Sequence, residues 1–292
     1  MTKFHTPVLV SQLISHLAVQ PGQQFIDATI GGGGHAAAII NLGGHVFGID
    51  RDPQAVKAAQ QRLPSTQAKV VQANFTDLAT LAANAGISQV NGIIFDLGVS
   101  SHQLDTPARG FSFNSSGPLD MRMDPALAVT AADLVNALGR KELYVLFTKL
   151  AQEKLARPIA DAIVESRRLT PFTTTQQLAQ LVEEVYRRHH WLALKLHPAT
   201  KVFQALRIAV NDELNNLKLV LPSALSLLKP GGRLAVISFH EGEDRLVKQF
   251  FKTAAATGQG KLITKKPLTP APAEILANPR CRSAKLRIIE KN

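Results

Sequence analysis

A glycine-rich loop stands between a predicted strand and a predicted helix. The string FIDATIGGGGHA covers residues 25–36, and glycine lets backbone N–H groups approach a ligand closely. Gly31, Gly33 and Ala36 fit the dinucleotide pattern G-x-G-x-x-A, and Asp50 follows at roughly the 20-residue spacing of an acid that binds ribose hydroxyls. Taken alone, this pattern fits NAD and S-adenosylmethionine equally well.

Acidic residues recur where predicted strands end. Short apolar runs at 24–28, 45–49, 69–72 and 92–96 alternate with helical patterns, which is typical of a parallel sheet wrapped by helices. Ligands of such sheets lie beyond the carboxyl ends of the strands, so we expect Asp27, Asp50 and Asp96 to face one crevice. These acids, with the turn Lys-Pro-Gly-Gly at 229–232, favour S-adenosylmethionine. Asp52 and Pro53 can start a helix, which leaves Asp50 available for the ribose.

The pattern changes after Asp96. A loop rich in Gly, Ser, Pro and Asp is followed by helical periodicity, including a helix that Thr173–Thr175 can cap. A long helix from Pro198 leads to the turn at 229–232, a strand at 233–239 resumes the sheet, and 284–290 alternates like a half-exposed edge strand. We therefore predict an α/β fold, a Rossmann-like sheet over 1–104 and 197–292 with an inserted all-α domain at 105–196.

Composition limits the partners. The chain has 292 residues, 45% of them hydrophobic, and a net charge of +11, which favours a polyanion such as RNA. A basic balance that serves only solubility is the alternative. The single cysteine, Cys281, excludes an intrachain disulfide and fits a reducing cytoplasm. No segment approaches the roughly 20 apolar residues of a membrane span, so we expect a soluble, cytoplasmic protein without a membrane partner.

Several strings carry a family resemblance across nearly the whole chain. They include HTPVL (5–9), DATIGGGGHA (27–36), GIDRDPQA (48–55), DLGVSSHQLD (96–105), RGFSF (109–113), GPLDMRMD (117–124), HPATKVFQALRI (197–208), ISFHEGEDR (237–245) and NPRCRSAKLR (278–287). In this order they resemble the small-subunit ribosomal RNA methyltransferase H family.

The resemblance implies an S-adenosylmethionine-dependent enzyme that methylates the 4-amino group of a decoding-centre cytidine in 16S rRNA. It implies the small ribosomal subunit as partner; a homodimer stays open. It also implies cofactor contacts at Gly33, Gly34, His35, Asp50, Phe75, Asp96 and Gln103. Independently, Phe75 fits ordinary core packing equally well, and His35 fits a polar residue of a first helical turn.

The sequence departs from the family pattern at three places. His102 stands where proline is usual, Glu241-Gly242 replaces a typical Ser-Leu, and Cys281 replaces a common serine. The change at 241–242 follows the end of a predicted central strand, so the role of that loop is open.

RNA contacts are predicted at Arg109, Phe111, Arg122, Lys201, Arg280 and Arg282. Aromatic rings such as Phe111 and Phe113 can stack on a flipped base, or can anchor the loop to the core. Arg122 can instead join Asp120 and Asp124 in an ion-pair network, and Lys201 with Arg207 can form a solvated helix face. The cluster Arg280, Arg282, Lys285 and Arg287 favours phosphate contact.

The predicted chemistry is direct methyl transfer, for which Asp96 or a neighbouring carbonyl would accept the amine proton. The Asp/Asn/Ser-Pro-Pro-aromatic motif of many amine methyltransferases is absent, since 96–99 reads DLGV. His197 and His240 lack Cys or acidic partners at metal-ligand spacing, so we expect no metal. Alternatives are a methyltransferase acting on a small molecule or protein, a nucleotide-dependent dehydrogenase, and a non-catalytic RNA-binding protein.

Overall fold

The chain forms two compact units. The computed structural model describes residues 7–190 and 196–292, so His5 and Thr6 of the HTPVL string lie outside the described residues. One unit combines the described residues up to Ser100 with Leu214–Asn292, and the other is Ser101–Glu213. The sequence placed the inserted domain at 105–196. The helical unit extends to Glu213 because the helix that follows Pro198 packs on other helices of this unit.

A seven-stranded sheet is the framework of the first unit, which confirms the predicted Rossmann-like α/β class. The strand order is β3-β2-β1-β4-β5-β7-β6. Strands β1 to β5 pair with one another in parallel, and β7 runs antiparallel to β5 and β6. The strands are β1 (Gln24–Asp27), β2 (His45–Asp50), β3 (Ala68–Gln72), β4 (Val90–Asp96), β5 (Leu228–Ser238), β6 (Gly260–Leu262) and β7 (Lys285–Lys291).

The order of the strands creates a switch point. The chain moves outward from β1 to β2 and β3, and then crosses back to place β4 on the other side of β1. Crevices of open α/β sheets form where the direction of winding reverses, outside the carboxyl ends of the strands. This geometry places the crevice at the ends of β1 and β4.

Helices cover both faces of the sheet. Alternate residues of a strand point to opposite faces, so Phe25 and Ile94 join one buried cluster while Ile26 and Ile93 join the other. The helices of this unit are α1 (Val10–Leu17), α2 (Gly34–Ile40), α3 (Pro53–Arg62), α4 (Leu78–Asn84), α11 (Glu213–Leu227, which begins at the last residue of the other unit), α12 (Glu241–Ala256) and α13 (Pro272–Ala277), with 3-10 turns at Phe75–Asp77 and Pro279–Ser283.

The second unit is built from helices. Its helices are α5 (Ser101–Asp105), α6 (Ala131–Ala137), α7 (Arg140–Ala151), α8 (Ala156–Ser166), α9 (Thr175–Arg188) and α10 (Thr200–Asn211), with a 3-10 turn at Pro107–Arg109. The predicted cap of α9 is confirmed, since the Thr174 hydroxyl accepts the N–H of Gln177. Helix α10 packs on α6 and α7, and α8 packs on α7 and α9.

The prediction of an edge strand at 284–290 is wrong. Strand β7 lies between β5 and β6, and β6 is the edge strand. The alternation of charged and apolar residues suggested an edge strand because Arg287 was interpreted as an exposed cation. Arg287 is instead buried and forms two hydrogen bonds with the carboxylate of Asp244, at 2.6 and 3.1 Å. A buried charge is tolerated when it is paired in this way.

The single long helix predicted from Pro198 is also wrong. Two helices, α10 and α11, meet at Asp212, whose φ of 49° is left-handed and ends α10. The predicted turn at 229–232 lies within β5: Val90 pairs with Leu228 and Gly92 with Arg233, so four residues of β5 loop out opposite one residue of β4. No helix within residues 7–190 or 196–292 is long and apolar enough to cross a membrane.

Candidate active site

Three acids lie at the carboxyl ends of adjacent strands, as the sequence predicted. Asp50 ends β2, Asp27 ends β1 and Asp96 ends β4, and these strands are neighbours in the sheet. Asp27 is 1% exposed. Burial, then the negative charges of Asp96 and Asp50, raise the pKa of Asp27 to about 8. The crevice is therefore lined by acids, of which Asp27 is only partly ionised at neutral pH.

Thr29 connects two of these acids. Its backbone N–H donates to Oδ1 of Asp27 at 3.3 Å, and its hydroxyl oxygen accepts the backbone N–H of Asp96 at 2.6 Å. The sequence analysis missed this residue. The signal was its place two residues after Asp27, where a short polar side chain can bond to the neighbouring strand. Thr29 thus fixes the ends of β1 and β4 relative to each other.

Asp50 holds the glycine loop. Its Oδ2 accepts the backbone N–H of Gly31 and its Oδ1 accepts that of Asp52, both at 2.9 Å. Asp52 caps α3 as predicted, by accepting the N–H of Gln54. Asp50 is therefore engaged by the backbone, although each carboxylate oxygen has a second lone pair for a ribose hydroxyl. Burial raises the pKa of Asp50, and the two N–H groups counteract that rise.

Two amides of the loop form internal hydrogen bonds. Besides Gly31, Gly33 has φ of 74° and donates its N–H to the carbonyl of Ile30 at 2.8 Å. A Cβ on Gly34 would lie 2.8 Å from the ring of Pro7, so this glycine makes room for the segment before α1. The acids nearby would repel a dinucleotide pyrophosphate. The geometry favours a cationic ligand over NAD.

His35 connects the segment before α1 with Asp96. It is 4% exposed, its Nε2 lies 2.9 Å from the carbonyl oxygen of Val8, and its Nδ1 lies 3.6 Å from Oδ2 of Asp96. A carbonyl only accepts, so Nε2 carries a proton and donates it to Val8. His35 is therefore more than a polar residue of a first helical turn, because it binds the segment before α1 and lies beside the carboxylate that ends β4.

Phe75 packs within the core beside the acids. It is buried, its ring meets Phe95 edge to face at 5.5 Å between centroids, and the guanidinium of Arg51 lies 5.9 Å from its ring. These contacts favour core packing, and a further role in adenine stacking stays a prediction. Gln103 belongs to the helical unit, where it is buried in α5. Its predicted contact with the cofactor also stays a prediction.

Four predicted RNA contacts lie in the helical unit and are engaged there. Nη2 of Arg109 donates to the carbonyls of Arg122 and Met123, and its guanidinium lies 5.8 Å from the ring of the buried Phe111. Nζ of Lys201 donates to the carbonyl of Gln152 at 2.9 Å. These bonds favour the alternative in which the side chains order the unit.

Arg122 is the centre of a loop network. It forms two 2.8 Å hydrogen bonds with the carboxylate of Asp120 and donates to the carbonyls of Pro125 and Leu127. Burial alone would raise the pKa of Asp120, but the hydrogen bonds from Arg122 outweigh it and lower the pKa. Asp124 instead accepts the N–H of Ala126. The ion pair of Arg122 and Asp120 thus orders the loop.

Other candidates have partners that the sequence did not indicate. The ring of Phe113 stacks on His197 at 4.3 Å between centroids, and Arg207 forms a two-bond ion pair with Glu213. The sequence spacing indicated no acidic partner for His197 or His240, and this is wrong for the folded chain. His197 lies 2.7 Å from Glu183, and His240 lies 3.3 Å from Glu243.

The basic cluster near the C-terminus divides into two pairs. Arg280 and Arg282 are exposed on the turn Pro279–Ser283, whereas Lys285 lies 3.5 Å from Asp244 and Arg287 is buried against the same acid. Cys281 between the arginines is 0% exposed, and burial raises the pKa of its thiol. Nearby, the departure at 241–242 forms the first turn of α12, where the acid Glu241 suits the helix dipole.

Comparisons with known proteins decide the family. A sequence profile described as MraW methylase family matches residues 2–292. The chain belongs to this family. A protein of Syntrophotalea carbinolica named Ribosomal RNA small subunit methyltransferase H is 46% identical, covering 98% of this chain and 98% of its own length. One of the same name from Thermomicrobium roseum is 47% identical, covering 98% and 93%.

Membership confirms two predictions made from the sequence. The resemblance to the methyltransferase H family is confirmed, and this methylase uses S-adenosylmethionine as its cofactor. The acids at the ends of β1, β2 and β4 fit this donor, because its sulfonium and ammonium groups are positively charged. Among solved structures, a putative methyltransferase from Streptococcus mutans in complex with SAH is 13% identical, with a TM-score of 0.48 over 99% of this chain and 100% of that one.

Proposed function

We propose that this methyltransferase acts in the cytoplasm on 16S rRNA of the small ribosomal subunit, and that it methylates the exocyclic 4-amino group of a decoding-centre cytidine. The relatives named above carry the ribosomal substrate in their names. The net charge of +11 supports an RNA partner. The observation that carries the reaction is the row of Asp27, Asp50 and Asp96 along the switch point of the sheet.

In this proposal the chain holds the donor through residues of the crevice. Asp50 would accept the ribose hydroxyls with its remaining lone pairs, and Phe75, His35, Gly33 and Gly34 would shape the pocket around the donor. A cofactor contact of Gln103 remains a separate proposal. The bound donor supplies an electrophilic methyl group on a sulfonium. Holding it in line with the amine can contribute about 7–11 kcal/mol to lowering the barrier.

Asp96 is the proposed proton acceptor. The amine of cytosine gains a bond to the methyl carbon as the bond from sulfur to that carbon breaks, and the nitrogen then loses one proton. Asp96 stands at the end of β4, its backbone N–H is fixed by Thr29, and its Oδ2 faces His35. A positioned carboxylate can take such a proton.

Carbon 5 of cytosine is the competing target, and it requires a thiolate that adds to the ring. The only cysteine of the sequence is Cys281, which is buried in the core with a raised pKa. A buried thiol of raised pKa is a poor nucleophile, so methylation at the exocyclic amine is favoured.

Arg280 and Arg282 are the proposed phosphate contacts, because they are the exposed members of the predicted basic cluster. We propose that the helical unit adds to the RNA surface, with Arg109, Phe111, Arg122 and Lys201 acting mainly by ordering it. A cytidine in a duplex would have to leave its pair to reach the crevice.

The test uses donor labelled in the methyl group. The chain is incubated with small ribosomal subunits that lack this methylation, with naked 16S rRNA, or with protein extract, and digested products are analysed by mass spectrometry. We expect 4-amino-methylated cytidine from rRNA, and loss of most of this activity in Asp96→Asn but not in Asp77→Asn. Label found in protein alone, or on carbon 5, would contradict the proposal.

A further inference from the structure

The side chain of Asp27 is buried and incompletely bonded. It is 1% exposed at the end of β1, and Oδ1 accepts the N–H of Thr29 at the long distance of 3.3 Å. Within residues 7–190 and 196–292 no other hydrogen bond reaches this carboxyl group. Buried polar groups in folded proteins normally have full sets of partners, so a buried carboxyl group with a single long hydrogen bond calls for an explanation such as a ligand.

Charged groups surround Asp27 on both sides. Asp50 from β2 and Asp96 from β4 both act on it through their negative charges. The oxygens of Asp50 are engaged by the N–H groups of Gly31 and Asp52, and Arg51 partly offsets its charge. From α2, His35 faces Asp96 at 3.6 Å. Burial and these acids raise the pKa of Asp27 to about 8, so at neutral pH this carboxyl group holds a proton for most of the time.

We propose that Asp27 makes this site distinguish the cationic methyl donor from its uncharged sulfide product, by releasing its carboxyl proton when the donor binds and regaining a proton when the product forms. The inference rests on the proposed use of this crevice for the donor. S-adenosylmethionine and S-adenosylhomocysteine share the ammonium, carboxylate, ribose and adenine groups, and they differ in the methyl group and the positive charge at sulfur. A residue that responds to that charge alone separates substrate from product.

The proton balance is simple. The donor enters with its positive charge, and Asp27 loses one proton to solvent, so the site keeps its net charge. Methyl transfer makes the sulfur neutral, the amine proton passes to Asp96 and on to solvent, and Asp27 regains a proton from solvent. The carboxyl group of Asp27 is then neutral again, so the site binds the product more weakly than the donor.

Linkage fixes the sign of the pH dependence. Because donor binding releases a proton, raising the pH strengthens donor binding as long as the free site is protonated, that is, below about pH 8. For one proton the affinity changes by up to about tenfold per pH unit. Product binding should change much less. The ratio of the two dissociation constants should therefore widen by up to roughly fifty-fold between pH 6 and 8.

The experiment is isothermal titration calorimetry of the full chain with S-adenosylmethionine and with S-adenosylhomocysteine at pH 6, 7, 8 and 9. Each titration is repeated in two buffers that differ in ionisation enthalpy, which counts the protons released. The variants are Asp27→Asn and, as a matched control that removes one exposed carboxylate, Asp77→Asn. We expect the wild type and Asp77→Asn to release up to one more proton with the donor than with the product, and Asp27→Asn to lose that difference.

The outcomes separate the two proposals. A wild type that binds both ligands with a ratio independent of pH overturns this inference and leaves the proposed function intact, as does an Asp27→Asn variant that still releases the extra proton. A wild type that binds neither ligand overturns the proposed function as well. If Asp27→Asn does not fold, the proton count of the wild type still decides.

Discussion

The carboxylate of Asp50 accepts the backbone N–H of Gly31 at 2.9 Å, which ties the end of β2 to the glycine loop after β1. The same side chain accepts the N–H of Asp52 and so connects the loop with the start of α3. One acid thus orders the two backbone segments that border the crevice. Its proposed contact with ribose would add to this structural role.

Replacing Asp50 should weaken the binding of S-adenosylhomocysteine. Asp50→Ala removes the acceptor of two backbone N–H groups and of the ribose hydroxyls, and hydrogen bonds to a charged group contribute about 1.5–3 kcal/mol each. We expect affinity to fall by at least tenfold in calorimetric titration. Asp52→Asn, which keeps a capping side chain on α3, is the control and should bind normally. Unchanged affinity in Asp50→Ala would remove this residue from the site.

His35→Ala should destabilise the protein and disturb Asp96. The substitution leaves the carbonyl of Val8 without its buried donor, a loss of about 1–3 kcal/mol in the free energy of unfolding. Urea denaturation measures this loss, and the rate of methyl transfer reports the effect on Asp96. His189→Ala, which removes an exposed histidine at the end of α9, should change neither quantity. A His35→Ala variant as stable as the wild type would contradict the described contact.

The raised pKa of Asp27 should make stability depend on pH. The pKa is about 8 in the folded chain and 3.8 without the protein environment, so the folded state binds more protons between these values. The stabilisation from this group is complete below about pH 4 and is lost as pH rises through about 8, with a slope of at most about 1.4 kcal/mol per pH unit. Urea denaturation at pH 5, 7 and 9 should show this slope in the wild type and a smaller one in Asp27→Asn. Equal slopes would mean that the carboxyl group titrates normally.

The strand ends were predictable from the sequence, and their hydrogen bonds were not. Apolar runs followed by acids placed Asp27, Asp50 and Asp96 correctly, because the carboxyl ends of parallel strands meet at one edge. The bond from the N–H of Asp96 to Thr29 and that from His35 to Val8 join segments that are distant in sequence. Such bonds follow from the packing of the sheet, which a local pattern does not contain.

Each of the two errors has its own physical cause. Arg287 suggested an exposed edge strand because its partner Asp244 lies 43 positions earlier in the sequence, on α12. Apolar residues recur at helical spacing on both sides of Asp212, which predicted one long helix. The left-handed backbone of Asp212 ends that helix, and a single such residue leaves no periodic signal. In both cases tertiary contacts or one backbone conformation overrode a pattern that was locally regular.

Arg282→Ala should weaken RNA binding without destabilising the fold. Arg282 is exposed, and removing one phosphate contact should lower the slope of log affinity against log salt by about one, uniformly across RNA sequences. Fluorescence anisotropy with a 16S rRNA fragment at several salt concentrations measures this slope. Lys57→Ala, which removes an exposed positive charge from α3, is the control. An identical slope in wild type and Arg282→Ala would exclude Arg282 from the RNA surface.

Cys281 should be dispensable for the reaction. It is 0% exposed within the cluster that includes Leu286 and Ile288, and burial raises the pKa of its thiol. A mechanism at carbon 5 needs a thiolate that reaches the ring, whereas direct transfer to the exocyclic amine needs none. In the sequence, the positive charges of the flanking Arg280 and Arg282 suggest a lowered pKa for this thiol. The burial of the sulfur has the larger effect and raises the pKa.

We therefore expect Cys281→Ala to keep near-normal methylation of the 4-amino group, with a loss of stability of about 1 kcal/mol from the missing buried sulfur. Cys281→Ser is the companion variant: its hydroxyl is similar in size but polar, and burying it without a partner costs about 1–3 kcal/mol. Activity per folded molecule, with the amount of folded protein taken from urea denaturation, should match the wild type in both. Loss of activity in both variants at full folding, together with methyl groups on carbon 5 in the wild-type product, would replace direct transfer by a covalent mechanism at Cys281.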